Sequence, residues 1–268
     1  MEFVLDICPI CGSKELKILN KKNVDEDIII DYKCVACGEL LSSESKRNKF
    51  VKEKEQINNI IKETSGVKTA KDIFKDNIDS VLEIYCNFTS KATTGTGFIF
   101  AYNYVITNAH LVFDETDKNT LCDNVFAKFN SSDTLYELEF VFASKELDIC
   151  ILHFVYEGDF KVLSLTNHEC ETGEKVYTIG NSKGLGLAIL DGIISDNSRK
   201  IEEHEYIMFT APVTNGNSGG PIFNESGELI GMVRFGLAQT VGMNYAIPLK
   251  VIIDFVKEVE QNEEITIL

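Results

Sequence analysis

The chain has 268 residues, 44% of them hydrophobic, and a formal net charge of −16. That length suits one large domain or two small ones with a real core, and the acidity argues against coating nucleic acid or an anionic membrane. No apolar run approaches bilayer-spanning length, and the start MEFVLDICPICG lacks the basic residues and apolar stretch of a secretory leader, which reads as a soluble, cytoplasmic protein.

The charge is uneven: residues 1–45 carry −4, residues 46–75 carry +5 and residues 76–268 carry −17. Four of the eight cysteines fall in residues 8–37, as two C-x-x-C-G knuckles, Cys8–Cys11 and Cys34–Cys37, separated by twenty-two residues. Between them KELKILN and DIIIDYK read as two strands joined by a polar turn around KKNVDED. A hairpin that brings the knuckles together would set four thiolates around one point, the tetrahedral set that zinc prefers. Residues 1–44 therefore resemble a zinc ribbon holding one structural zinc ion through Cys8, Cys11, Cys34 and Cys37. A redox C-x-x-C pair fits poorly, since there are two pairs and no βαβ context.

Residues 45–67 form a charged, helix-prone linker with Phe50, Ile57 and Ile61 on one face and Thr64-Ser65-Gly66 as a stop. It is either a solvated lysine-rich helix or a basic segment that docks on an acidic neighbour. From residue 68 onward the sequence turns to short β-rich runs with Gly- and Asn-rich turns: VLEIYCNF, GTGFIFAYNYVITN, NVFAKFN, LYELEFVFAS, DICILHF, KVYTIG, AILDGIIS, YIMFTAPV, ELIGMVRF and MNYAIP. That pattern predicts an all-β barrel or sandwich over 68–268. A closing helix begins after Pro248, with Val251, Phe255 and Val259, and Ile252 and Val256, at i, i+4 spacing. Cys86, Cys122, Cys150 and Cys170 are scattered through this part and read as reduced, buried, small apolar residues.

Three short segments carry chemistry. His110 follows Thr107-Asn108-Ala109, Asp148 opens the run LDICIL, and Ser218 sits in GNSGGP. Amide hydrolysis needs a nucleophile, a base to take its proton and a buried acid to orient the base, and Ser, His and Asp fill those roles. His153, His168 and His204 match no such motif. G-T-G-F and G-L-G are not followed by helices, so neither is a phosphate cradle.

The sequence resembles the HtrA/Deg branch of the trypsin-like serine peptidases over roughly residues 70–260. The likeness rests on GTGF (95–98), TNAH (107–110), LDICIL (147–152), IGNSKGLG (179–186), GNSGGP (216–221) and NYAIP (244–248), in the family's order. It implies a mainly β fold of two six-stranded antiparallel barrels with a C-terminal helix. It also implies a catalytic set of His110, Asp148 and Ser218, and an oxyanion hole from the backbone N–H groups of Gly216 and Ser218. The segment GMVRFG resembles the G-x-V-S-W-G wall that receives substrate, which places Arg234, Phe235 and Gly236 at the pocket. Arg234 stands where a small residue is usual; it pairs with Asp148, favours an acidic substrate side chain, or points outward. Counting back six positions from Ser218 to the pocket base gives Pro212, followed by Val213, and neither can pair with a basic side chain. The short stretch after the last helix leads to the expectation of no PDZ domain of the kind many members of that branch carry.

The leading reading is a serine endopeptidase acting on protein or peptide substrates, targeted or regulated through the zinc ribbon or the basic linker by a protein partner. The alternative is an adaptor with an idle triad in which both domains recognise partners. A nucleic-acid-binding ribbon is disfavoured by the negative charge of residues 1–45.

Overall fold

The computed structural model describes residues 16–24, 27–36, 40–42 and 68–268, apart from 115, 118, 119, 157, 237–241 and 264. The chain divides into two compact units, Met1–Gln56 and Ile57–Leu268.

In the first unit, β1 (Leu16–Val24), β2 (Asp27–Cys34) and β3 (Leu40–Ser42) form a three-stranded antiparallel sheet in that order. Leu16 lies opposite Cys34, and Val24 opposite Asp27. The expected hairpin is present, but β1 runs on through Val24, so most of the turn predicted at KKNVDED is strand. Polar residues do not end a strand whose partner keeps supplying ladder hydrogen bonds. Cys8, Cys11 and Cys37, and the predicted linker helix, lie outside the described residues.

The second unit opens with α1 (Ala70–Asn77), a helix inside what the sequence reads as strand territory. Its start is a capping box: the Thr69 hydroxyl accepts from the Asp72 N–H, and the Asp72 carboxylate accepts from the Thr69 N–H. The helix buries Ile73, and Asn77 Nδ2 donates to the Gly227 carbonyl at 3.3 Å, tying it to a distant turn.

Twelve strands then close two antiparallel barrels, matching the fold class expected from the sequence. The first contains β4 (Val81–Asn87), β5 (Ala92–Ala101), β6 (Tyr104–Thr107), β7 (Asn124–Phe129), β8 (Leu135–Ser144) and β9 (Ile149–Phe154). Its order around the barrel is β4-β5-β6-β9-β8-β7. The second contains β10 (Lys175–Asn181), β11 (Leu187–Ile201), β12 (His204–Phe209), β13 (Pro221–Phe223), β14 (Leu229–Gly236) and β15 (Asn244–Pro248), ordered β10-β11-β12-β15-β14-β13. The run GTGFIFAYNYVITN is two strands, not one. Its break falls at Tyr102-Asn103, where Asn103 takes the left-handed conformation that asparagine tolerates.

Each barrel has its own apolar filling. Leu82, Ile84, Ile99, Val105, Leu152 and Phe154 fill the first, where the Phe154 and Phe160 rings stack at 4.1 Å. Val176, Ile194, Ile207, Phe209, Ile222 and Val233 fill the second. A third cluster, including Phe98, Ile106, Ile149, Tyr177, Ile179 and Phe223, draws on strands of both barrels and on the last helix, α3 (Leu249–Glu263). That helix buries Ile252, Phe255, Val256 and Val259, the face its spacing predicts. At about 1.5–3 kcal/mol per large apolar side chain, this shared cluster is what holds the barrels in one register.

Candidate active site

His110 lies on α2 (Ala109–Val112), a single helical turn that begins as β6 ends. Asp148 ends the tight turn between β8 and β9, and its own backbone is left-handed at φ 59°. That strained turn is held twice: Asn108 Nδ2 donates to the Asp148 carbonyl at 2.9 Å, and the Leu147 N–H donates to Ser144 Oγ. The carboxylate is thereby aimed at the α2 turn. It accepts from the His110 backbone N–H at 2.9 Å, and its two oxygens lie 3.1 and 2.9 Å from His110 Nδ1. A carboxylate on Nδ1 fixes the proton there and leaves Nε2 as the basic nitrogen. The Asp148 side chain is 10% exposed and that of His110 44%, so the carboxylate is shielded while the imidazole faces solvent.

Ser218 sits on the turn before β13. Gly216 and Gly219 flank it at φ +97° and +82°, and a Cβ on either would lie 2.0 Å from the Asn181 carbonyl oxygen or 2.1 Å from that of Thr96. Only glycine fits, which accounts for the low-structure look of GNSGG. Among the described residues the N–H groups of Gly216 and Ser218 donate to no protein acceptor, whereas those of Asn217, Gly219 and Gly220 all do. Two uncommitted donors thus lie on the serine loop, one of them the serine's own. Ser218 Oγ makes a long contact to the Arg234 carbonyl oxygen at 3.5 Å, and no hydrogen bond joins it to His110.

Arg234 links the two halves of the site. Its Nε lies 3.4 Å from Asp148 Oδ2, its guanidinium reaches the Glu146 carbonyl, and it stacks over the Tyr206 ring at 5.0 Å. Of the three orientations open from sequence, the structure has the one paired with Asp148. The other expected pocket residues are placed variously. Phe235 stacks on Tyr245 at 5.1 Å, Val213 packs on the core of the second barrel, and Pro212 is exposed. Gly236 ends β14, directly before the undescribed residues 237–241.

Two clefts border the site. One of about 320 Å³ is lined by Ala109, His110, Phe113, Asp114, Lys145, Asp148 and Arg234. The other, about 500 Å³, is lined by Thr94, Lys183, Thr214, Asn215 and Gly216.

Sequence reasoning missed Thr96. Its hydroxyl donates to the Gly216 carbonyl at 2.7 Å and accepts from the Asn181 N–H at 2.9 Å. Its N–H donates to the Ser218 carbonyl at 2.9 Å, and its carbonyl accepts from Thr107 Oγ1 at 2.7 Å. One fully buried residue of the first barrel therefore clamps the serine loop of the second.

A family profile described as a trypsin-like peptidase domain matches residues 95–232, more than half of the sequence. The chain belongs to the trypsin-like peptidase family. Within this family it is similar to a probable periplasmic serine endoprotease DegP-like of Ectopseudomonas mendocina (strain ymp), 28% identical over 179 residues, which are 64% of this chain and 36% of the relative. It is also similar to serine protease HTRA1 of Xenopus laevis, 32% identical over 177 residues, 62% of this chain and 36% of that one. The peptidase chain thus spans about a third of the length of the curated relatives it matches. A solved HtrA-type protease AlgW with tripeptide shares the fold at a TM-score of 0.65 and 21% identity, over 74% of this chain and 65% of that one.

These relatives also correct one expectation. DegP-like relatives of this peptidase are named periplasmic, which points to the periplasm and away from the cytoplasmic location read from the sequence. That reading inferred a compartment from the lack of a leader-like start, and such a lack does not fix a compartment. Among the described residues no helix is long and apolar enough to cross a membrane.

Proposed function

We propose that this chain is a serine endopeptidase in which His110, Asp148 and Ser218 cleave peptide bonds through an acyl-enzyme. The observation that carries the reading is the double approach of Asp148 to His110 Nδ1, which leaves Nε2 as the base. Ser218 Oγ attacks the carbonyl carbon of the scissile bond as its proton passes to His110 Nε2. The carbonyl oxygen becomes an oxyanion and takes the free N–H groups of Gly216 and Ser218. Collapse expels the amine, which leaves with the proton held on His110, and the acyl group remains on Ser218. Water then attacks the ester with His110 again as base, releasing the acid and restoring the hydroxyl.

The Ser218 contact to the Arg234 carbonyl belongs to a resting arrangement, since catalytic hydrogen bonds often tighten only when substrate is bound. It also favours the alternative, an adaptor whose triad is idle. A fluorophosphonate probe separates the two because it bonds only an activated serine. Labelling of the wild type, absent in Ser218→Ala at unchanged melting temperature, is the expected result; a well-folded wild type that takes no label and leaves a peptide library uncut refutes the enzyme reading.

Residues 1–44 are proposed as a ribbon for one zinc ion on Cys8, Cys11, Cys34 and Cys37, residues 45–67 as a linker, and 68–268 as the peptidase domain. The chemistry of the donor set supports this, since four thiolates and a hairpin suit zinc. Four thiolates leave no open position, so a bound zinc supplies folding energy and takes no part in hydrolysis. Among the described residues no group of three or more His, Cys, Asp or Glu could hold a metal. Substrates are proteins or peptides, and the ribbon or basic linker is the surface that a protein partner meets.

A further inference from the structure

Cys86 and Cys122 are 36 positions apart, and the fold brings their thiols together. Cys86 is the penultimate residue of β4, 1% exposed, and Cys122, 7% exposed, lies in the same apolar cluster of the first barrel. The path between them explains the meeting. After the His110 turn the chain runs out as a hairpin, bridged at Phe113 and Leu121, and returns at Cys122, whose N–H donates to the Val112 carbonyl at 2.8 Å. The next N–H, of Asp123, donates to the Asn87 carbonyl at 2.7 Å, and β7 then pairs along β4 from Asn124 opposite Asn87. Cys122 is thus pinned beside the end of β4, and its thiol is the neighbour with which that of Cys86 interacts most strongly. The third thiol of this cluster, Cys150, turns instead to the Ile151 carbonyl at 3.8 Å.

We propose that Cys86 and Cys122 are a disulfide-forming pair, joined by thiol–disulfide exchange with an external disulfide oxidant. The environment orders the steps. The interaction between the two thiols holds Cys122 below the usual thiol range and, with burial, pushes Cys86 up. Cys122 is therefore the thiolate that attacks one sulfur of the oxidant, forming a mixed disulfide and releasing one thiolate. Cys86 then gives its proton to that departing thiolate, and its sulfur attacks Cys122 Sγ, expelling the second half of the oxidant, which takes up the Cys122 proton. Two protein thiols and one disulfide become one protein disulfide and two thiols. The bond would close the base of the hairpin that carries Phe113 and Asp114, two walls of the cleft at His110.

The test uses the full chain. It is incubated with glutathione disulfide or with a reducing thiol, free thiols are alkylated under denaturing conditions, and peptides are mapped by mass. The expected result is a Cys86–Cys122 cross-linked peptide only in the oxidised sample. Closing a loop of about 36 residues should raise the melting temperature by about 8–15 °C, reversed by reductant. Cys86→Ala and Cys122→Ala should each remove the shift. Two alkylated cysteines after oxidation, or a bond from either one to Cys150, overturns the proposal without need of any variant.

Discussion

Thr96→Val tests whether the serine loop depends on a clamp from the other barrel. Valine keeps the shape and loses only the hydroxyl, so the buried Gly216 carbonyl and Asn181 N–H both lose their partner. A buried backbone group without a partner costs about 1–3 kcal/mol, and partial relaxation brings the pair to about 2–4 kcal/mol. For a domain of this size that lowers the melting temperature by about 5–15 °C. Relaxation has a second consequence. Once its carbonyl is released, Gly216 is held on one side only, and a change of its φ and ψ moves its N–H away from the position proposed for the oxyanion. Removal of one such donor lowers kcat by about 10²–10³-fold, which bounds the loss from above. KM should change little, because the ground-state substrate does not use that donor fully. Thr96→Ser restores the hydroxyl and should recover most of both losses. Calorimetry and initial rates on a short chromogenic peptide measure the two effects together. Wild-type stability and kcat in Thr96→Val would refute the clamp.

Arg234→Ala should cost about 1–2 kcal/mol in urea denaturation, through the lost stacking on Tyr206 and Phe235 and the lost Asp148 contact; Arg234→Lys should not recover it, since an ammonium cannot stack as a guanidinium does. Equal stability of all three proteins would show that the contacts are incidental. Profiling on a peptide library should show cleavage after small or medium apolar residues, because Pro212 and Val213 offer no charge to a basic side chain; cleavage mainly after Arg or Lys would overturn that assignment. Native mass spectrometry should find one zinc per chain, and chelation should leave short-peptide turnover by the peptidase domain intact. A metal-free protein with protected Cys8, Cys11, Cys34 and Cys37 thiols would remove the zinc assignment.

The strands are legible because each is written locally, in β-rich runs ended by Gly, Asn and Asp turns; those runs leave barrel or sandwich open, and the two barrels follow from the family resemblance. The candidate site was legible for a different reason: GNSGG puts glycine where positive φ and close backbone approach require it, and TNAH and LDICIL stand in the order of the family the sequence resembles. What escaped is nonlocal or conformational. The T-x-x-D box of Thr69 and Asp72 was readable, yet α1 was overlooked because the segment is short and continues into strand residues. The role of Thr96 depends on four partners, at Thr107, Asn181, Gly216 and Ser218, spread over both barrels, and no sequence window contains them. The orientation of Arg234 is a rotamer choice, decided by Tyr206 and Asp148 from two different barrels. The meeting of Cys86 and Cys122 needed the register of β7 on β4.

The position of the site between two barrels ties its chemistry to their packing. His110 and Asp148 belong to the first barrel, and Ser218, Gly216 and Arg234 to the second. Neither half alone contains both the proposed nucleophile and its proposed base. Contacts across the seam therefore set the distance from Ser218 to His110: the Thr96 clamp, the Arg234 pair with Asp148, and the cluster around Phe98 and Phe223. A small sliding of one barrel on the other leaves each core intact, so it costs little beyond these contacts, yet it would align or misalign the serine and its base. The long Ser218 contact to the Arg234 carbonyl fits such a resting position. Arg234 touches both sides of the seam, with its carbonyl oxygen 3.5 Å from Ser218 Oγ and its Nε 3.4 Å from Asp148 Oδ2. A substrate strand that pairs with β14 would compete for that carbonyl, free the Ser218 hydroxyl and let it turn toward His110.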